Sequence, residues 1–196
     1  YMNRSIISNK KYSLNLSETG ITYIDNDMVS YRFKIESNIT KNEGYNYIST
    51  IVDQIKKLVK SVANITNLST SIETTNVTVG TISYDGLFDP INGNMKNFIN
   101  LQNSITNLSS GNVSIIVESI KYGPSIKNKK TGELLAINNA IAHGKSKIDR
   151  VILSMGGNAK NYEIKKMSVS IDDNNQENTE KYKISATVSF EVEIPN

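Results

Sequence analysis

The chain has 196 residues, with Lys+Arg 22 against Asp+Glu 19, a formal charge of +3 and no cysteine. At this length a chain removes roughly 70% of its unfolded surface from water, so one continuous domain over residues 1–196 is expected without disulfide or metal support. The missing cysteine excludes thiolate metal sites and cysteine nucleophiles, and the scattered, nearly balanced charge argues against nucleic acid as a partner.

The first element is a loosely alternating stretch from Tyr12 to Tyr23, read as a strand ending near Gly20. A cleaner strand follows, in which Val29, Tyr31, Phe33 and Ile35 point one way while Ser30, Arg32, Lys34 and Glu36 point the other. From Tyr45 to Val62 the apolar period lengthens to that of a helix, with Ile48, Ile51, Val52, Ile55, Leu58, Val59 and Val62 on one stripe. Lys56, Lys57 and Lys60 lie off the stripe near its C-terminal end, where positive charge complements the helix dipole.

Thr70 to Ser83 is rich in Thr and Val and predicts one strand, followed by a loop through the turn residues Asp85, Gly86, Asp89, Pro90, Asn92 and Gly93. Phe98, Leu101, Ile105 and Leu108 then recur at helical spacing, against the weak helix formers Asn97, Asn100, Asn103 and Asn107. Val113, Ile115 and Val117 predict a central strand, because the intervening Ile116 makes the segment apolar on both faces. A loop through Pro124, Lys127, Lys129 and Lys130 closes it.

Thr131 is read as the cap of a long helix from about Gly132 to Met155, with a stripe of Leu134, Ile137, Ile141, Ile148, Ile152 and Met155 and a C-cap at Gly156-Gly157-Asn158. Two strands complete the chain, Tyr162 to Ile171 and Tyr182 to Ile194, joined by the polar turn Asp172 to Glu180. In the last strand Ile184, Ala186, Val188, Phe190, Val192 and Ile194 alternate with Ser185, Thr187, Ser189, Glu191 and Glu193. The order predicts an α+β fold: a largely antiparallel sheet with helices packed on one face, since clean alternation requires the other face to be wet.

Candidate chemistry is sparse. The single histidine, His143, has no carboxylate at i±4 to orient it and is read as a surface or packing residue rather than a base or ligand. The carboxylate pairs Asp25/Asp27, Asp85/Asp89 and Asp172/Asp173 are assigned to turns, where aspartate bonds its own backbone. Asp25-Asn26-Asp27 lacks the glycine and terminal glutamate that complete a calcium loop. The lysines around Lys121, Lys127, Lys129 and Lys130 have no interleaved aromatics to stack bases and read as a solvated loop. No Gly-Xaa-Ser-Xaa-Gly elbow and no phosphate-binding glycine loop occur. No catalytic, cofactor-binding or metal residue is therefore assigned.

Isoleucine, asparagine and lysine, all with A/T-rich codons, dominate, so Asn-Xaa-Ser/Thr triplets such as Asn38-Ile39-Thr40 and Asn64-Ile65-Thr66 read as products of base composition rather than glycosylation sites. No apolar run reaches the roughly 20 residues that cross a bilayer as a helix. The sequence opens at Tyr1 rather than methionine, as removal of an export signal leaves it; trimming of a cytosolic start leaves the same opening.

The long helix and the final strands carry a family resemblance. Ala136, Ala140, Ala142, Lys145, Lys147 and Gly156, then Val188, Phe190 and Val192, resemble the alanine- and lysine-spaced helix and Val-Xaa-Val-Xaa-Phe-like run of the SIMPL family. The strand after Asp27, the helix with Ile55 and Leu58 and the Thr-rich strand around Thr74 to Thr81 are similar to its early part. Gly144, Ser146 and Ile148 replace small-residue positions of the family helix, and residues 84–111 lack the strand expected of it.

That resemblance implies a SIMPL-like α+β domain, an exported bacterial protein of the periplasm or envelope, labelled as an oxidative-stress defence or immunogenic protein. It implies a homo-oligomer acting by self-assembly or binding, without catalysis or cofactor. Two alternatives stay open: an exported adhesin or ligand-binding module using the 84–95 loop, and an enzyme using turn carboxylates. The identity of a small-molecule ligand is left unassigned.

Overall fold

A computed structural model describes residues 11–39, 41–91, 93–157, 161–173 and 181–195. Tyr1, Thr40, Asn92, Asn158 and most of the polar turn that ends at Glu180 lie outside the described residues. The element order is β1 (Tyr12–Asp25), β2 (Met28–Ser37), α1 (Lys41–Lys60), β3 (Ile65–Thr74), β4 (Thr78–Leu87), α2 (Met95–Thr106), β5 (Val113–Gly123), α3 (Ile126–Ser154), β6 (Glu163–Asp172) and β7 (Lys181–Ile194). The fold is α+β, and its strands form two antiparallel sheets, ordered β1-β7-β6 and β3-β4-β2-β5. The described residues group into two compact units, one within residues 25–125 and the other within residues 1–24 and 126–196.

The unit of residues 25–125 runs β-α-β-β-α-β, with the sheet order β3-β4-β2-β5. This is the split βαβ, ferredoxin-like arrangement. The run from Thr70 to Ser83, read as one strand, is a hairpin: β3 and β4 pair antiparallel, and the Thr75 amide donates to the Val77 carbonyl at 3.1 Å. The turn between them has neither glycine nor proline, so the uniform Thr/Val composition masked it. Asp85 and Gly86, assigned to a loop, belong to β4.

Alternation in β2 and β4 delivers Val29, Tyr31, Phe33, Ile35, Ile82 and Tyr84 to one face, where Ile48, Val52, Ile55 and Val59 of α1 and Phe98, Leu101 and Ile105 of α2 cover them. Each such aliphatic or aromatic side chain contributes roughly 1.5–3 kcal/mol on burial. The rings of Tyr31, Phe33 and Tyr84 stack at centroid distances of 5.4 to 6.1 Å. The buried Tyr84 hydroxyl has no hydrogen-bond partner among the described residues, and burial pushes its pKa well above the ordinary phenol range.

The other unit runs β1, α3, β6, β7, with β7 central. It repeats the order and strand arrangement of β2, α1, β3, β4 without a sequence repeat and, among the described residues, without a second helix and fourth strand. Side-chain pairs Ser17–Ser189 (2.7 Å) and Thr19–Thr187 (3.3 Å) mark β1 as antiparallel to β7 on the outer face. On the inner face Ile184, Ala186, Val188, Phe190 and Val192 are buried beneath α3.

The residues of α3 that meet the sheet are Gly132, Ala136, Ala140, Gly144, Ile148 and Ile152, at i, i+4 spacing. Two expected members of the stripe, Leu134 and Met155, are instead 59% and 54% exposed. The helix also begins at Ile126, so Thr131 is interior rather than a cap and donates to the Lys127 carbonyl at 3.1 Å. The segment Lys127 to Lys130, read as loop, is its first turn. At the other end Gly156 takes φ +79° and Gly157 donates to the Ile152 carbonyl at 3.0 Å, so the C-cap stands.

Close approach explains the small residues. A Cβ on Gly20 of β1 would lie 2.2 Å from the Ala136 carbonyl oxygen and 2.4 Å from the Ala140 nitrogen, backbone atoms that cannot swing aside. Gly20→Ala is therefore expected to lower the unfolding free energy by about 3 kcal/mol. Gly111→Ala, where a Cβ meets nothing within 4 Å, serves as control. Urea unfolding followed by circular dichroism compares them, and equal midpoints would contradict this packing.

Candidate functional site

The polar residues singled out from sequence occupy separate places. His143 lies on an exposed part of α3, its Nδ1 3.2 Å from the Thr19 carbonyl of β1. Its neighbours Asn139 and Lys147, one turn away on either side, also reach β1: Asn139 Nδ2 donates to the Ile21 carbonyl at 3.3 Å, and Lys147 pairs with Glu18 at 2.7 Å. The histidine thus belongs to a row of α3 side chains that lines the outer edge of β1.

Asp27 accepts hydrogen bonds from the amide and the hydroxyl of Ser125, the latter at 2.7 Å, fastening the first and last segments of the 25–125 unit to each other. Asp85 accepts from Asn67 Nδ2 at 2.9 Å, across β3 and β4. Asp89 accepts from the Ile91 amide at 2.8 Å, a local turn bond of the expected kind. Asp173 pairs with Lys129, whose ammonium also lies 5.8 Å from the Tyr182 ring centroid. Among the described residues no group of three or more His, Cys, Asp or Glu is placed to hold a metal ion. No described helix is long and apolar enough to cross a membrane.

The strand edges form the more informative feature. An edge strand presents unpaired N–H and C=O groups to which another chain can add, and proteins usually blunt them. β3 is interrupted between Thr66 and Ser69, where Asn67 takes φ +56°. β5, expected at the centre of the sheet, is instead an edge strand beside β2; it is interrupted opposite Arg32/Phe33, and Glu118, the extra residue, is held by Arg32 at 2.6 Å. Such bulges bend a strand and break its ladder. On β1, the Thr19 and Ile21 carbonyls are engaged by His143 and Asn139.

β6 differs. Its irregularity, like that of β3, lies near the start, between Ile164 and Lys166, and from Lys166↔Glu191 to Asp172↔Ser185 its register with β7 is continuous; the difference is in what covers it. Met167, Val169 and Ile171 lie opposite the buried Phe190, Val188 and Ala186, and therefore on the same face of the sheet. Yet they are 49%, 45% and 41% exposed, because α3 packs over β7 and leaves this row bare. Exposed strand edges are the contact surface the sequence reading favours, but residues 162–171 carry no mark of being one, because strand order decides which strand is outermost.

No family model matches the chain, and no curated protein matches it. Among solved structures it is similar to a de novo designed protein with ferredoxin fold determined by solution NMR. The identity is 14%, the alignment covers 47% of this chain and 85% of that chain, and the TM-score is 0.29.

The hydrogen-bonded Lys147 holds the Glu18 carboxyl below the usual carboxylate range. A depressed folded pKa means that the pair's stabilisation is present above the unfolded pKa and is lost as pH falls through the folded one. Lys147→Ala is therefore expected to lower the urea midpoint slightly at neutral pH and to match the wild type near pH 2. A difference that persists in acid would show that the lysine acts through packing.

Proposed function

We propose that the chain is a non-enzymatic assembly protein of the SIMPL type, which engages other chains along the open edge of β6. The observation that carries this is the continuous register from Lys166 to Asp172 beside a half-exposed apolar row; β3 is also regular from Ser69 to Thr74, but its Leu68 and Ile72 pack against their own core. Strand addition supplies main-chain hydrogen bonds, and the alternating apolar side chains supply the buried area that gives them strength. The absence of catalysis is supported by the local use of the carboxylates: Asp27, Asp85, Asp89 and Asp173 are each engaged by a neighbouring residue.

Export to the periplasm or envelope and a link to oxidative stress belong to the same proposal and rest on the resemblance carried by Ala136, Ala140, Lys147 and the Val188-Phe190-Val192 run. Fractionation of the native host with an antibody against the chain tests the location. A second reading, a ligand-binding module or adhesin, is supported by a shallow trough of about 390 Å³ of mixed polarity, where Asn15, Ser17, Lys166, Ser168 and Glu191 adjoin Leu16 and Phe190. A glycan that raises the melting temperature would favour it.

For the assembly function, size-exclusion chromatography with light scattering is expected to give a mass above the 21.8 kDa of one chain. Val169→Lys places a charge in the apolar row of an exposed edge, a common protection against pairing. It is expected to return the mass to 21.8 kDa with the far-UV circular dichroism of the folded chain unchanged. An assembled Val169→Lys protein, or a wild type that is monomeric at every concentration, would overturn assembly through β6.

A further inference from the structure

We infer that the partner at β6 is a second copy of the same chain, joined antiparallel about a two-fold axis at Val169, which extends each three-stranded sheet into one continuous sheet. This deepens the proposal that β6 is the working edge and rests on it. The segment Lys166-Met167-Ser168-Val169-Ser170-Ile171-Asp172 is self-complementary when read against itself in reverse. Val169 then faces its own copy once, on the axis, while Met167 faces Ile171, Ser168 faces Ser170 and Lys166 faces Asp172, each of these three pairs occurring twice by symmetry.

The register follows from two constraints. Directly opposite residues in an antiparallel pair point to the same face, so an axis perpendicular to the sheet must pass between identical residues, and a slip of one position would set apolar side chains against polar ones. Centring on Met167 would place Val169 against Lys165 and Ile171 against Glu163. Centring on Ser168 would place Ile171 against Lys165 and leave Lys166 opposite Ser170. Centring on Ser170 would place the apolar Met167 against Asp173 and leave Asp172 opposite Ser168. Val169 is the centre that matches all three apolar residues with one another and a cation with an anion.

Lys166 and Asp172 are both exposed, on the face opposite the apolar row. They sit at the two ends of the regular register with β7, so the complementary charges bracket the segment that can pair. Exposed like this, they define the register more than they add affinity. The apolar row supplies the burial: six half-exposed side chains, three from each copy, close on one another beside α3.

The chain has no cysteine, so each introduced thiol reports alone. Val169→Cys is expected to form a disulfide-linked dimer under mild oxidation, since opposite Cβ atoms lie about 4.5–5.5 Å apart. Met167→Cys and Ile171→Cys are expected not to link to themselves, each lying about 13 Å along the strand from its own copy, but to link to each other when mixed. In the cysteine-free chain, Lys166→Asp or Asp172→Lys should each weaken dimerisation about tenfold, and the double exchange should restore it.

That set of results supports the pairing. An assembly that Val169→Lys dissociates, yet in which Met167→Cys links to itself or the double exchange fails to restore affinity, would overturn the two-fold at Val169 and leave the β6 edge as the contact. A wild type that stays monomeric, or an assembly indifferent to Val169→Lys, would overturn both.

Discussion

In the unit built from β1, α3, β6 and β7, the approach of α3 to β1 and β7 determines what the remaining strand can do. Gly132, Ala136, Ala140 and Gly144 let the helix backbone descend onto the sheet until Gly20 nearly touches it. Packing this close requires residues without bulk, and close-packed interiors tolerate little added volume. Once seated there, the helix covers β7 and reaches β1 with Asn139, His143 and Lys147. Its width is then spent, and the inner face of β6 stays open.

The two units solve the same edge problem differently. Both share a β-α-β-β order, and the 25–125 unit adds a second helix and a fourth strand, β5, beside β2. In the other unit the corresponding edge, β1, receives no fourth strand among the described residues, and helix side chains take up its Thr19 and Ile21 carbonyls instead. A bulge breaks β5 near its middle, while the irregularities of β3 and β6 lie near their beginnings; β3 packs Leu68 and Ile72 against its own core, and β6 leaves its apolar row half-exposed. A long regular edge with apolar side chains is a liability in a protein that must stay alone, and a binding surface in one that must not.

Much of this fold was legible in the residues. Period-two alternation located β2 and β7, and the 3.6-residue stripe located α1, because each of those elements has one dry and one wet side. The β3–β4 hairpin was hidden by a turn lacking glycine and proline, and the beginning of α3 by Thr131, a good cap residue that here lies inside a helix. The stripe of α3 was misjudged because bulk was taken to mark the buried face. Leu134 and Met155 are exposed, and glycine and alanine make the contact. The candidate edge was not legible at all: strand order is a tertiary property, and Met167, Val169 and Ile171 alternate as any half-buried strand does.

The central claim is that the backbone of β6 is held open for another chain, and hydrogen–deuterium exchange at increasing protein concentration tests it most directly. Amides between Lys166 and Asp172 that face away from β7 should become protected as concentration rises, while β1, β3 and β5 keep constant rates. Exchange along β6 that is independent of concentration, or protection gained at another edge instead, would contradict the account.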